Sequence, residues 1–299
     1  MYKNMPMPKP FSAEIVYFCN MSIVRAKKSL GQHFLRDQNI ARKITDSLLP
    51  VTRDILEIGP GMGVLTRHLF ANPAFSVRAI DIDQESIDYL HQELPEYQDR
   101  ILYGDFLKTD IRQYYQEPFS VIGNLPYNIS SQIFFRIIEN RHLVRQVVCM
   151  IQKEVAERIA AGPGSKTYGI LSILIQAWYK VEYLFTVHEH VFNPPPKVKS
   201  AVIRMTRNET TELGCNEKLF KLIVKTTFNQ RRKTLRNSIS SILDKENPLS
   251  TDPIFNKRPE QLSVQEFIEL TNQVEAALKN KTDIVYSNDI ARKGTNKKE

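Results

Sequence analysis

The stretch Gly123-Asn124-Leu125-Pro126-Tyr127-Asn128-Ile129-Ser130 follows an apolar run, Phe119 to Ile122, that reads as a short buried strand. It sets an amide, a rigid turn and an aromatic ring side by side at the strand's end. Those residue types suit one chemistry. An exocyclic amine on adenine is a poor nucleophile because its lone pair is delocalised into the ring. Two acceptors on the two amine hydrogens would draw that nitrogen toward tetrahedral geometry and free the lone pair for a methyl donor. Asn124 offers its side-chain oxygen and Leu125 its carbonyl. Pro126 fixes its own φ and biases Leu125 toward an extended conformation, so that this carbonyl points outward. Tyr127 offers a face on which a base can stack, worth about 1–3 kcal/mol. A neutral Asn is sufficient, since proton loss can follow methyl transfer without a strong general base. Taken alone, the stretch is equally a proline turn after a strand, so the strand ends elsewhere must decide.

Glu57-Ile58-Gly59-Pro60-Gly61-Met62-Gly63 also follows a short apolar run and opens a helical pattern. Glycines there let the backbone turn sharply and approach a ligand closely. In open parallel sheets, ligands bind beyond the carboxyl ends of the strands. A dinucleotide fold wants G-x-G-x-x-G to seat a pyrophosphate. Here the spacing is G-x-G-x-G, with Pro60 inside and Glu57 at the mouth, where a carboxylate would repel a pyrophosphate and suit a positive charge. Asp81 closes the next strand, where it can accept both ribose hydroxyls. Asp105-Phe106 closes the third, offering an acceptor for an adenine amine and an apolar wall for its ring. Three carboxylates at three strand ends fit a cationic sulfonium nucleoside, S-adenosylmethionine, better than NAD, and no hydride-handling residue is evident.

Elements must hold these ends together. From about residue 38 helical and strand patterns alternate: 54–59, 76–83, 100–105 and 119–122 read as strands, with helical stretches between them, one running from the third strand through Tyr114. Such alternation predicts an α/β fold, a parallel sheet covered on both faces. The polar run 208–217 reads as a linker. Beyond it only helical patterns remain, at 217–228, 231–243 and 263–278. The expected division is an extension over 1–21 with Met21 as a sensible start, a sheet domain over 22–207, a small all-helical domain over 208–280, and a tail without an apolar face over 281–299.

Composition excludes several classes. With 42% hydrophobic and 25% charged residues, the 299-residue chain is that of an ordinary globular protein. Lys and Arg outnumber Asp and Glu by 41 to 33, for a net charge of +8, which fits an acidic partner such as nucleic acid. Three isolated cysteines, Cys19, Cys149 and Cys215, argue against a disulfide framework or zinc site and fit a reducing cytoplasm. His188-Glu189-His190 lacks an evident third ligand and reads as a polar strand end, so no metal is expected. No apolar run reaches about 18 residues, so no membrane span is expected either.

Together these motifs resemble the KsgA-type ribosomal RNA small-subunit adenine dimethyltransferases. The resemblance rests on 29–35 (SLGQHFL), 57–66 (EIGPGMGVLT), 79–83, 104–105, 123–130, 151–159 (IQKEVAERI), 162–172, 192–204 (FNPPPKVKSAVIR) and 228–239 (FNQRRKTLRNSI), in order. It implies a Rossmann-like class I S-adenosylmethionine-dependent methyltransferase domain with a small all-helical C-terminal domain. It implies two methylations on each of two adjacent adenosines in a hairpin near the 3′ end of 16S rRNA in the small ribosomal subunit; separately, a monomer is expected. It would set the cofactor against His33, Leu35, Gly59, Asp81, Asp105 and Asn124, to which the strand-end reading above adds Glu57, Gly61 and Phe106. It would set Phe192 opposite Tyr127 across the flipped base, with the prolines after it holding that ring. Two residues depart from the pattern: the family often has Asn where this chain has His33, and Glu where it has Asp81. The resemblance also gives a purpose to the acid-free basic stretch from Lys218 to Arg236, otherwise only a solvated face. Lys225, Arg231, Arg232, Lys233 and Arg236 would contact phosphates, fixing position and not sequence. Three other readings carry less of the sequence. A 23S rRNA methyltransferase of the macrolide-resistance type tends to have Ile in place of Leu125 and lacks the 228–239 match. A non-catalytic subunit-assembly factor does not need intact methyl-transfer motifs, and an NAD enzyme has the wrong glycine spacing.

Overall fold

The computed structural model describes the backbone of residues 24–295 and the side chains of residues 24–279. The extension expected over residues 1–21 lies outside the described residues. The sheet region begins with β1 (Phe34–Leu35), α1 (Gln38–Thr45), β2 (Asp54–Ile58), α2 (Val64–Phe70), β3 (Ser76–Asp81), α3 (Gln84–Glu93) and β4 (Ile101–Tyr103). It continues through β5 (Phe119–Asn124), α4 (Ser130–Glu139), β6 (Val144–Gln152), α5 (Lys153–Ala160) and α6 (Ile170–Gln176), then β7 (Tyr179–Val187), β8 (Phe192–Asn193) and β9 (Ser200–Arg207). Helix starts carry local signals. The Asp37 side chain accepts from the Asn39 and Ile40 amides, and the Asp83 side chain from Glu85, satisfying donors that the first turn leaves open.

The seven-stranded sheet runs β4-β3-β2-β5-β6-β9-β7, and β1 pairs separately with β8. From β4 to β6 all neighbours are parallel. The expected parallel sheet needs correction at its far edge, where β9 pairs antiparallel with both β6 and β7. No crossover helix separates β7 from β9, so the chain returns antiparallel, as a short connection requires.

Apolar runs without polar alternation make strands buried on both faces. Along β6, Val147, Cys149 and Ile151 join one cluster with α4 and α6, while Val148 and Met150 join the opposite cluster with α1 and α2. Burying each such side chain contributes about 1.5–3 kcal/mol. The sheet ends are therefore stiff supports for whatever they carry.

Beyond β9 the chain forms α7 (Glu217–Asn229), α8 (Leu235–Ser238), three short 3-10 turns that start at Pro248, Pro253 and Pro259, and α9 (Val264–Thr295). Phe220, Ile223, Val224, Phe255, Phe267 and Leu270 lie in the same apolar cluster as Leu174 and Trp178 of the sheet region. The helical unit thus shares a core with the sheet. Because α9 runs on to Thr295, the boundary expected at 280 coincides with no helix end.

Two expected helices are shorter than their patterns. After β4 only Ile111–Gln113 form a single 3-10 turn. Asp105 and Asp110 accept from the Leu107 and Arg112 amides two residues on, an alternative to helix that aspartate favours. In the 231–243 pattern, Thr234 is extended (φ −65°, ψ 159°) and the helix is confined to Leu235–Ser238.

Candidate active site

A cavity of about 250 Å³ opens at the carboxyl ends of β2, β3 and β5. Leu35, Glu57, Gly59, Gly61, Asp81, Asp105, Asn124, Leu125, Pro126, Tyr127 and His33 all line it, so most of the residues singled out by type and spacing converge on one space. Among the described residues its lining includes no Lys or Arg.

The carboxylate end is built by the sheet. Gly61 has φ +53°, and a Cβ there would meet the Phe34 ring at 2.9 Å, so the backbone at this turn is packed directly against the N-terminal segment. Glu57 is 1% exposed, and its Oε2 has no hydrogen-bond partner among the described residues. Burial pushes its carboxyl up to about 8, Asp81 adds to the rise, and the Thr66 hydroxyl works against it. Asp81 is 6% exposed, and its two oxygens accept from the Gly61 amide at 3.1 Å and the Asp83 amide at 2.9 Å. Burial raises its pKa, while these backbone donors oppose the rise. Each Asp81 oxygen keeps acceptor capacity for a further donor.

The N-terminal segment closes over this end through contacts that the sequence did not announce. Buried Asp83 accepts from Lys27 Nζ at 2.5 Å and from Gln32 Nε2 at 2.9 Å, and Lys27 also pairs with Glu85 at 3.0 Å. Burial alone would raise the Asp83 pKa, but the Gln32 and Lys27 bonds outweigh it and hold the carboxyl below the ordinary range. Asp83 could have been found as a helix-capping aspartate before the 84–93 pattern; nothing marked Lys27, and the 29–35 motif that holds Gln32 did not point to this contact.

The other end carries the amide. Asn124 ends β5, and its Nδ2 donates to the His33 carbonyl at 2.9 Å. A carbonyl only accepts, so the amide orientation is fixed and Oδ1 is left as an acceptor. The Tyr127 hydroxyl and the Ser200 hydroxyl lie 2.5 Å apart, and Ser200 is fully buried. His33 stacks on the Tyr127 ring at 5.5 Å between centroids and 29° between planes, and its Nδ1 lies 2.8 Å from the Pro194 carbonyl oxygen. Gly123 has no room for a side chain, since a Cβ there would lie 2.4 Å from the Ile58 carbonyl oxygen.

Two expected site residues lie elsewhere. Phe106 is 6% exposed in the core cluster and does not line the cavity; Ile82 and Leu107 supply apolar lining on that side. The Asp105 turn, with the Leu107 amide bonded to the carboxylate at 3.0 Å, exchanges which of the two neighbours faces the cavity. Phe192, expected opposite Tyr127, is 4% exposed, pairs with Leu35 across β1 and β8, and packs in the cluster of α1 and α2. Strand alternation turns its side chain into the core.

The basic residues stand apart from the cavity lining. Lys225 lies 5.5 Å from the centroid of the Phe135 ring, Arg231 Nη1 donates to the Lys166 carbonyl at 2.9 Å, and Arg232, Lys233 and Arg236 are exposed. Arg231, Arg232 and Lys233 fall in the turn after α7, not on a helix face. Among the described residues no group of three or more His, Cys, Asp or Glu converges as a metal site would require.

A family profile described as ribosomal RNA adenine dimethylase matches residues 23–275. The chain belongs to the ribosomal RNA adenine dimethylase family. Relatives named ribosomal RNA small subunit methyltransferase A agree with this dimethylase assignment. That of Phocaeicola vulgatus is 73% identical over 282 residues, covering 93% of this chain and 100% of its own. That of Bacteroides thetaiotaomicron is 63% identical, covering 88% and 98%. Among solved structures, a dimethyladenosine transferase from Plasmodium falciparum superposes with a TM-score of 0.70 at 27% identity, covering 82% of this chain and 98% of that one. The 23S rRNA methyltransferase ErmE, at 24% identity and a TM-score of 0.58, shares the fold, with 80% of this chain and 99% of that one covered. The fold of this dimethylase family member is that of the class I methyltransferases, and the protein is a methyltransferase.

Proposed function

We propose that the protein transfers methyl groups from S-adenosylmethionine to the exocyclic amines of two adjacent adenosines. The substrate is a hairpin near the 3′ end of 16S rRNA in the small ribosomal subunit, and the products are dimethyladenosines made as a step of subunit biogenesis in the cytoplasm. One observation carries this reading: Asn124 presents an amide oxygen, its orientation fixed by the His33 carbonyl, in a cavity whose charged lining is carboxylate without Lys or Arg.

The cofactor fits that lining. Among the described residues Glu57 holds a buried oxygen without a partner, the state expected of a group that awaits a cationic ligand. Glu57 would face the positive charge, Asp81 the ribose hydroxyls, and Asp105 the adenine amine between Ile82 and Leu107. When bound, S-adenosylmethionine supplies an electrophilic methyl group whose sulfur leaves as a neutral thioether. The chain's own residues prepare the nucleophile. Asn124 Oδ1 and the Leu125 carbonyl accept the two amine hydrogens, which localises the nitrogen lone pair. Tyr127, tied to Ser200, gives the base its stacking face. The proton then leaves to water, so a neutral Asn suffices. After one methylation the amine keeps one hydrogen, so a single acceptor serves the second. Lys225, Arg231, Arg232, Lys233 and Arg236 would hold phosphates, with a log–log salt slope of about −0.7 to −0.9 per phosphate neutralised. A loop adenine is already poorly stacked, so extruding it costs little. The relatives' names, which specify the small subunit, favour 16S over 23S rRNA.

The test is tritiated methyl transfer to small subunits that lack the modification. The native protein should yield dimethyladenosine, and Asn124→Ala should lower kcat by about 10²–10³ at saturating S-adenosylmethionine. Equal product from both proteins would remove Asn124 from the mechanism.

A further inference from the structure

Two neighbouring residues of the N-terminal segment reach opposite anchors. Gln32 is used at both ends of its side chain: Nε2 donates to Asp83 at 2.9 Å, and Oε1 accepts from the Lys27 amide at 2.8 Å. Lys27 closes the loop, its Nζ donating to the other Asp83 oxygen at 2.5 Å. The Asp83 side chain is fully buried and also caps α3 through the Glu85 amide, so it cannot turn away without opening a helix end. The next residue along, His33, receives the Asn124 amide on its carbonyl. The residue before Gln32 is Gly31, at φ +65°, and a Cβ there would lie 2.7 Å from Asn128 Oδ1. The segment is thus packed directly on the turn that carries Asn124. The Leu30, Gly31 and Gln32 amides all donate to carbonyls within the segment, at Lys27 and Lys28. Its polar tie to the turn between β3 and α3 is therefore made by side chains, at Asp83.

We infer that Lys27 and Asp83 are positioning residues for methyl transfer: their ion pair locks the 27–33 segment in place, and the His33 carbonyl of that segment holds the Asn124 amide with its oxygen toward the target amine. This rests on the adenine reading above. An amide can turn over and exchange its oxygen for its nitrogen, and only a partner in a fixed position selects between the two states. Turned over, Asn124 would offer N–H donors to the amine hydrogens, and the nitrogen lone pair would stay in the ring. The selecting partner is a backbone carbonyl, so its position is only as certain as that of the segment. On its far side the segment continues into β1, which is two residues long. On its near side the hold is Asp83. A hydrogen bond to a charged group is worth a factor of about 10–150 in an equilibrium constant. The Lys27 side chain is 34% exposed, which places its bond at the low end of that range. Its second partner, Glu85, is exposed and adds little. The ion pair thus sets how often the segment is docked, and with it how often the amide is productive.

The test is a double-mutant cycle in the full chain, run with small subunits lacking the modification at saturating S-adenosylmethionine. Lys27→Met keeps the apolar stem and removes the charge, and should lower kcat by about tenfold with KM for subunits within about twofold. Lys27→Arg, which can still pair with Asp83, should return kcat to within about threefold of the native protein. In an Asn124→Ala background Lys27→Met should change kcat by less than about twofold, because the amide that it positions is gone. A second measurement needs no turnover. In protein labelled with 15N-asparagine, with the Asn124 side-chain signal assigned by its loss in Asn124→Ala, the Nδ2 protons should exchange with water faster in Lys27→Met than in the native protein or Lys27→Arg. Three results would overturn the inference. Lys27→Met could leave kcat and amide exchange unchanged. Its full loss could persist in the Asn124→Ala background, which would make the ion pair a general support and not a positioner of the amide. Lys27→Arg could be as impaired as Lys27→Met. A native protein that transfers no methyl to subunits would defeat the adenine reading itself, and that outcome is separate from the other three.

Discussion

The two ends of the cavity are built in different ways. The carboxylate end stands on the tips of adjacent parallel strands, and the contacts of Asp81 itself are short in sequence: it accepts from Asp83, two residues on, and from Gly61, twenty residues back, while the N-terminal segment joins only through Asp83. The base end is assembled from three distant segments. Asn124 reaches His33 across 91 residues, Tyr127 reaches Ser200 across 73, and His33 reaches Pro194 across 161. The Asp81 carboxylate is positioned by the sheet and its turns, with the N-terminal segment packed over them. The base end exists only after the N-terminal segment and the 192–200 segment have docked. A substitution can therefore damage one end and spare the other.

The largest separation should come from Gly61→Ala. A side chain at φ +53° costs about 1–2 kcal/mol, and its Cβ would press on the Phe34 ring. S-adenosylmethionine affinity, measured by calorimetry, should fall about tenfold while subunit affinity holds. An equal loss in both would show that the ends are mechanically coupled. Ser200→Ala is the mirror case. It removes the partner of the Tyr127 hydroxyl at a cost of about 1 kcal/mol, so kcat/KM for subunits should fall about fivefold with cofactor affinity unchanged. A drop in cofactor affinity would break the comparison.

The smallest effect sharpens the carboxylate end alone. Glu57 has its folded-state pKa raised to about 8 by burial. The folded protein then holds a proton that the unfolded chain has released, so its stability is fully present below the ordinary glutamate range and is lost as pH rises toward about 8. A thermal midpoint measured from pH 5 to 8.5 should decline in the native protein relative to Glu57→Gln. Because a cation favours the ionised form, S-adenosylmethionine affinity should rise a few-fold over the same window in the native protein and stay flat in the variant. Parallel curves would mean that Glu57 is ionised throughout.

How much was legible follows the same division. Gly59, Gly61 and Asp81 could be read from local pattern, because a glycine turn after a short apolar run and an acid at the next strand end are consequences of neighbouring residues. Asn124 to Tyr127 could be read for the same reason. Phe106 and Phe192 are buried and do not line the cavity, since which way a side chain turns at a strand end depends on bonds such as Asp105 to Leu107 and pairings such as Leu35 with Phe192. Thr234 broke an expected helix where no Gly or Pro warned of it. The roles of Lys27, Gln32 and Ser200 could not be read locally, because their partners lie 56, 51 and 73 residues away.

By itself the sequence determined the alternation of strands and helices, the glycine turn, the carboxylates at strand ends and the amide with its rigid turn, since periodicity, φ preference and side-chain chemistry act over a few residues. Only the tertiary structure decided that the edge of the sheet runs antiparallel, that the amide oxygen is the free end of Asn124, and that the His33 ring stacks on Tyr127. Those outcomes depend on which distant segments come to share a hydrogen bond or a core, and no local preference encodes that choice.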